Sequence, residues 1–119
     1  MSSGVLTLGA SKELQNINIS TNNGREFIIN IYKEQTGFSG DMVILDRISG
    51  TSIYHLISQL KSNVCDIFSD GIDNVLTYLC QYNDAISDIH NPCNTPFIAP
   101  LDQNEIIKNK SISLSVRVN

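Results

Sequence analysis

Residues 51–71 read TSIYHLISQLKSNVCDIFSDG, and the assignment of this stretch settles how the chain divides into sheet and helix. Its apolar residues Ile53, Leu56, Ile57, Leu60, Val64, Ile67 and Phe68 recur at three- and four-residue spacings. At about 100° per residue they fall within an arc of roughly 120°, the stripe of a helix lying on a sheet. Thr51 or Ser52 can cap its start by accepting a bond from a free backbone N–H. The spacing predicts a helix that breaks at Ser69-Asp70-Gly71, with the alternative that Gly71 is carried inside a longer helix.

Upstream the period is two. In LQNINIS (14–20) the apolar residues are Leu14, Ile17 and Ile19, which implies an irregularity near Asn16. REFIINIY (25–32) places Phe27, Ile29 and Ile31 on one face and Ile28 on the other. Between them Asn23-Gly24 is a hairpin signal, because both residues tolerate positive φ. GFSGD (37–41) reads as the next turn and DMVILDRI (41–48) as a third strand, its continuous apolar run suited to a central position. GVLTL (4–8) reads as a short edge strand.

Downstream, IDNVLTYLCQYNDAISDIHN (72–91) predicts a second helix with Ile72, Val75, Leu76, Leu79, Tyr82, Ile86 and Ile89 inward. Asn91-Pro92 ends it, since proline disfavours helical geometry in the residue before it. SISLSVRVN (111–119) alternates strictly and predicts a half-buried closing strand. The connection 91–110 holds all three prolines; Phe97, Ile98 and Leu101 make it a strap over the domain's own core or a partner-facing loop. The expected architecture is a single α+β domain, 1–119. It has an antiparallel sheet of four to five strands, two consecutive helices packed on one face, and a C-terminal strand returning to the sheet.

Hydrophobic residues make up 41% of the chain and charged residues 17%, a composition that folds. The N-terminal residues MSSGVLTLGASKEL carry no basic leader or apolar h-region, and no apolar run approaches the eighteen or so residues that span a bilayer. Three cysteines do not make a disulfide framework. A cytoplasmic protein without membrane contact is expected.

CQYNDAISDIHNPC (80–93) gathers two cysteines, a histidine and two aspartates. On a continuous helix Cys80 and His90 would stand about 15 Å apart, too far to share an ion, so no metal and no cofactor are expected. In that frame Cys80 borders the buried face and His90 sits in the last turn, favourably to the dipole. Asp66, Asp70 and Gly71 match three positions of a calcium loop, but Phe68 and Thr77 stand where ligands are required. Ser39 in GFSGD lacks the second glycine and the helix of a nucleophile elbow. His55 is expected to be exposed. Cys93 with His90 is the remaining pair for a thiol enzyme, without an orienting group nearby.

Charge is unevenly spread. From Ser62 to Ile107 there are seven acidic residues and no lysine or arginine. On the expected second helix Asp73, Asp84 and Asp88 fall within about 60° of one another, and Asp70 extends them if the helices align. This predicts an acidic ridge facing a protein partner with a basic surface. Direct nucleic-acid binding is disfavoured by a pI of about 4.9. The expected function is therefore a small non-catalytic binding protein, of inhibitor or immunity type, with Asp70, Asp73, Asp84 and Asp88 at the contact. The alternative is a self-associating assembly component, a homo-oligomer joined through a sheet edge at 111–119.

Overall fold

The computed structural model describes residues 12–91 and 97–118. Strands β1 (Lys12–Thr21), β2 (Arg25–Glu34), β3 (Gly37–Asp46) and β4 (Thr51–Lys61) follow one another as an antiparallel meander. Helix α1 (Val64–Leu79) crosses one face, β5 (Ile86–His90) pairs with the far side of β1, and α2 (Pro100–Val118) lies against α1. The strand order is β4-β3-β2-β1-β5. The fold is α+β, with two helices on a five-stranded antiparallel sheet whose last strand returns to the N-terminal ones.

The β1–β2 hairpin turns at Asn22 to Gly24, where Gly24 has φ +92°. The register slips between Glu13 and Gln15, a step before the expected irregularity at Asn16. Phe27, Ile29 and Ile31 are fully buried on the helix side, and Ile28 is half-buried on the other, as the alternation requires. The next turn comes at Gln35 and Thr36, earlier than expected, so GFSGD belongs to β3. Gly37 begins that strand with φ +158°, and Gly40 lies inside it, under α1.

The stretch 51–71 divides in two. Thr51–Lys61 is a strand, and the helix begins only at Val64. Its cap is Asn63, whose Oδ1 accepts the Asp66 N–H at 2.9 Å, instead of Thr51 or Ser52. The stripe was ambiguous because Ile53 and Ile57 satisfy helical spacing and also alternate along a strand. β-branched Thr51, Ile53 and Ile57 with Tyr54 favour the extended form. Val64, Ile67 and Phe68 are true helix-face residues, and Gly71 is buried within the helix. A Cβ on Gly71 would meet Ile29 Cδ1 at 3.0 Å and Ile57 Cδ1 at 3.2 Å, while one on Gly40 would overlap Ile67 Cγ2. These two glycines let α1 settle directly on β2, β3 and β4, burying Ile67, Phe68, Ile72 and Val75 completely. Each such side chain contributes about 1.5–3 kcal/mol.

The expected second helix also divides. Cys80 to Asn83 form a turn, and Asn83 takes φ +52°, a left-handed conformation that asparagine tolerates and that halts a helix. Ile86 and Ile89 reach the core from strand β5, a register slip against Ser20 and Thr21 turning both inward. Residues 111–118, expected as a strand, continue helix α2. That helix starts at Pro100, a residue suited to the first turn, and meets no glycine or further proline through Val118. Strict alternation is no stop signal for a helix already nucleated.

Phe97 and Ile98 are a strap over the core. Ile98 is 1% exposed, Phe97 meets Phe38 edge-on at 5.3 Å, and Gln15 Oε1 accepts the backbone N–H groups of Phe97 and Ile98. Leu101, grouped with them from the sequence, points outward. The GVLTL segment, Cys93 and residues 92–96 lie outside the described residues.

Candidate functional site

β4 forms one edge of the sheet. Among the described residues nothing pairs with its outer side, so one side of its backbone presents free N–H and C=O groups. It is eleven residues long, and its only ionisable side chains besides Tyr54 are His55 and a terminal Lys61. Ile53, Tyr54, Leu56 and Leu60 are 41–65% exposed. The pairings Ile44↔Ile53 and Met42↔His55 put Ile53 and His55 on the helix side; Tyr54, opposite Val43, and Leu56, opposite Asp41, face the other way. His55 is exposed, as expected, beside Asn74, Thr77 and Gln81 of the region at the end of α1.

The sheet face away from the helices carries a ladder of polar side chains. Asp41 accepts from Asn30 Nδ2 at 2.9 Å, from the Tyr32 hydroxyl at 3.1 Å and from the Tyr54 hydroxyl at 3.0 Å. Asn16 donates onward to Asn30. This row fixes Tyr54 on the sheet and pushes its phenol above the ordinary value, chiefly through the bond to Asp41. The edge is therefore a stiff platform bearing apolar side chains, held by bonds reaching back to β1.

The other polar concentration lies at the end of the sheet near the helix C-terminus. Arg25 is 4% exposed; its Nε donates to Asp46 Oδ2 and its Nη1 to Asp84 Oδ2, each at 3.0 Å. The Tyr82 ring covers the guanidinium, 4.1 Å from its centroid. Asp46 also accepts from the Tyr78 hydroxyl at 2.9 Å and from the N–H groups of Ile48 and Ser49. Asp84 accepts from Thr21 Oγ1 at 2.6 Å and from the N–H groups of Asn23 and Ala85. Burial opposes ionisation of both carboxyls, but these bonds outweigh it: Asp46 is held at about 2 and Asp84 below the usual range. Burial and the bond to Asp46 push Tyr78 up to about 12. Every carboxylate lobe is occupied, so this cluster clamps two turns and the helix end together and offers no vacant acid or base.

The four aspartates expected on one acidic ridge are not on one helix. Asp70 and Asp73 lie on α1, Asp84 in the connection before β5 and Asp88 on β5. The Asp84 side chain is buried against Arg25. Asp73 pairs with Lys110 of α2 at 2.8 Å, so a lysine just beyond the Ser62–Ile107 stretch supplies a cation to the segment that has none of its own. Asp88 is exposed and Asp70 half-exposed, on separate elements. The helical frame used to separate Cys80 from His90 also fails, because His90 is on β5 and Cys80 ends α1. Cys80 is exposed instead of bordering the core, and its thiol donates to Thr77 O at 3.2 Å. The Cys65 thiol is pushed up by burial and by Asp102 and Asp66, the opposite of an activated nucleophile. Among the described residues, no group of three or more His, Cys, Asp or Glu is placed to hold a metal, and no helix is long and apolar enough to cross a membrane.

Sequence reasoning missed Leu56 and Leu60 as surface residues because it placed them on the inner face of a helix, and it missed Tyr54 as part of a strand. The usable signal was the lack of charge between Thr51 and Gln59, unusual for a solvated helix face. Comparison with protein-family models, with curated proteins and with solved structures gives no match to this chain.

Proposed function

We propose that this protein is a non-catalytic protein-binding module that receives an extended strand of a partner along the free edge of β4. The observation that carries the reading is an eleven-residue edge strand with four large apolar side chains 41–65% exposed. An unpaired strand edge is a template for another strand, and natural sheets commonly guard such edges with charge, proline or brevity. β4 is long and has no proline, its one permanent charge is its last residue, Lys61, and its register against β3 shifts only beyond Leu56. Backbone bonds would supply affinity, and Tyr54, Leu56 and Leu60 the side-chain contacts. The remaining polar chemistry supports the same reading: Arg25, Asp46 and Asp84 satisfy one another, and burial with Asp102 and Asp66 pushes the Cys65 thiol up.

Selection of binding peptides from a random displayed library, followed by amide hydrogen exchange, tests the reading. Selected peptides should protect β4 amides from exchange. Peptides that protect the helices or β5 and leave β4 unchanged would remove it.

A further inference from the structure

The two edges of the sheet are unlike. β5 is five residues long, carries Asp88 and His90, and lines a cleft with Asn104 and Ile107 of α2. β4 is twice that length and, among the described residues, unpaired on its outer side. Resting on the reading of β4 as a strand-receiving edge, we infer that the strand it receives is β4 of a second copy. The two copies pair antiparallel about a two-fold axis perpendicular to the sheet.

The distribution of charge permits a second copy and favours this direction. Lys61 at one end is the one permanent charge of β4, so the strand does not repel itself. Antiparallel pairing sends the two lysines to opposite ends, on the order of 40 Å apart at about 3.3 Å per residue; parallel pairing would set them side by side. Pairing about His55 brings Tyr54 of one copy beside Leu56 of the other, an aromatic–aliphatic cross-strand contact ahead of the shifts that β4 makes against β3 between Leu56 and Lys61. The two-fold keeps the helices of both copies on one face and joins the polar ladders through Asp41 and Tyr54 into one continuous surface. The assembly closes at two copies, because each β4 is consumed and β5, short and charged, does not continue it.

Sedimentation velocity of the full chain over about 1–200 µM tests the inference, since a dimer of this kind responds to protomer concentration. The wild-type chain should pass from monomer to dimer. Leu56→Lys, at a half-exposed position on the face away from the core, should move that midpoint at least about tenfold higher with an unchanged far-UV spectrum and melting temperature. Leu60→Lys serves if Leu56→Lys fails to fold. A wild-type monomer throughout, a dimer indifferent to the lysine substitution, or open-ended assembly would each overturn the inference. A monomer whose β4 is still protected by library peptides refutes the dimer and leaves the strand-receiving role standing. Absence of both refutes both.

Discussion

Arg25 and Asp84, separated by 59 residues in sequence, meet at 3.0 Å in a setting where neither side chain is more than 5% exposed. The same guanidinium holds Asp46, so one cation joins the β1–β2 hairpin, the β3–β4 turn and the connection from α1 to β5. Arg25→Met should leave two buried carboxylates without their cation. A melting temperature lower by on the order of 10 °C is expected, read by circular dichroism at neutral pH. An unchanged melting temperature would show that the cluster does not tie the turns together.

Asp46 gives the cluster a pH signature. Its folded-state value of about 2 lies below its ordinary 3.8, so its contribution is complete above 3.8 and is lost as pH falls through about 2. Thermal midpoints of the wild-type chain should fall steeply across that interval. Asp46→Asn should start lower at neutral pH and fall less steeply; parallel acid profiles for the two proteins would contradict the assignment.

The approach of α1 to the sheet makes two glycines unequal. Gly40→Ala forces a carbon against Ile67 Cγ2 and close to Asn30 O, neither of which can rotate away, and should cost about 1–3 kcal/mol. Gly71→Ala meets only the flexible Cδ1 ends of Ile29 and Ile57, and a gain of about 1 kcal/mol in helix propensity offsets the crowding. Urea denaturation should therefore show a clear loss for the first and little change for the second.

Gln15 is fully buried, and its Oε1 holds the strap through the N–H groups of Phe97 and Ile98. Gln15→Leu orphans two backbone donors, at about 1–3 kcal/mol for a group left unsatisfied. Faster amide exchange at Phe97 and Ile98, with the centre of β2 unchanged, is the expected readout.

The α+β class and the faces of β1 and β2 were legible in the sequence, because Ile17, Ile19, Phe27, Ile29 and Ile31 alternate under a real helical cover. β4 was not legible, since an edge strand with half of each face open shows no clean alternation, and its isoleucines and leucines also satisfy helical spacing. Residues 111–118 misled for the converse reason: alternation describes side chains, whereas the helix started at Pro100 is continued by backbone bonds. The acidic ridge depended on an unbroken helix, and Asn83 breaks it. Asp84 shows the consequence most plainly, as an expected surface charge that is sealed against Arg25.

The central claim is that the outer edge of β4 pairs with β4 of a second copy. Residue-resolved amide hydrogen exchange, compared between dilute and concentrated protein, tests it most directly. The account predicts added protection at high concentration confined to the outward-facing amides of Thr51–Lys61, and its loss in Leu56→Lys. Uniformly fast exchange of those amides at every concentration, or new protection on β5 or α2 instead, would contradict it.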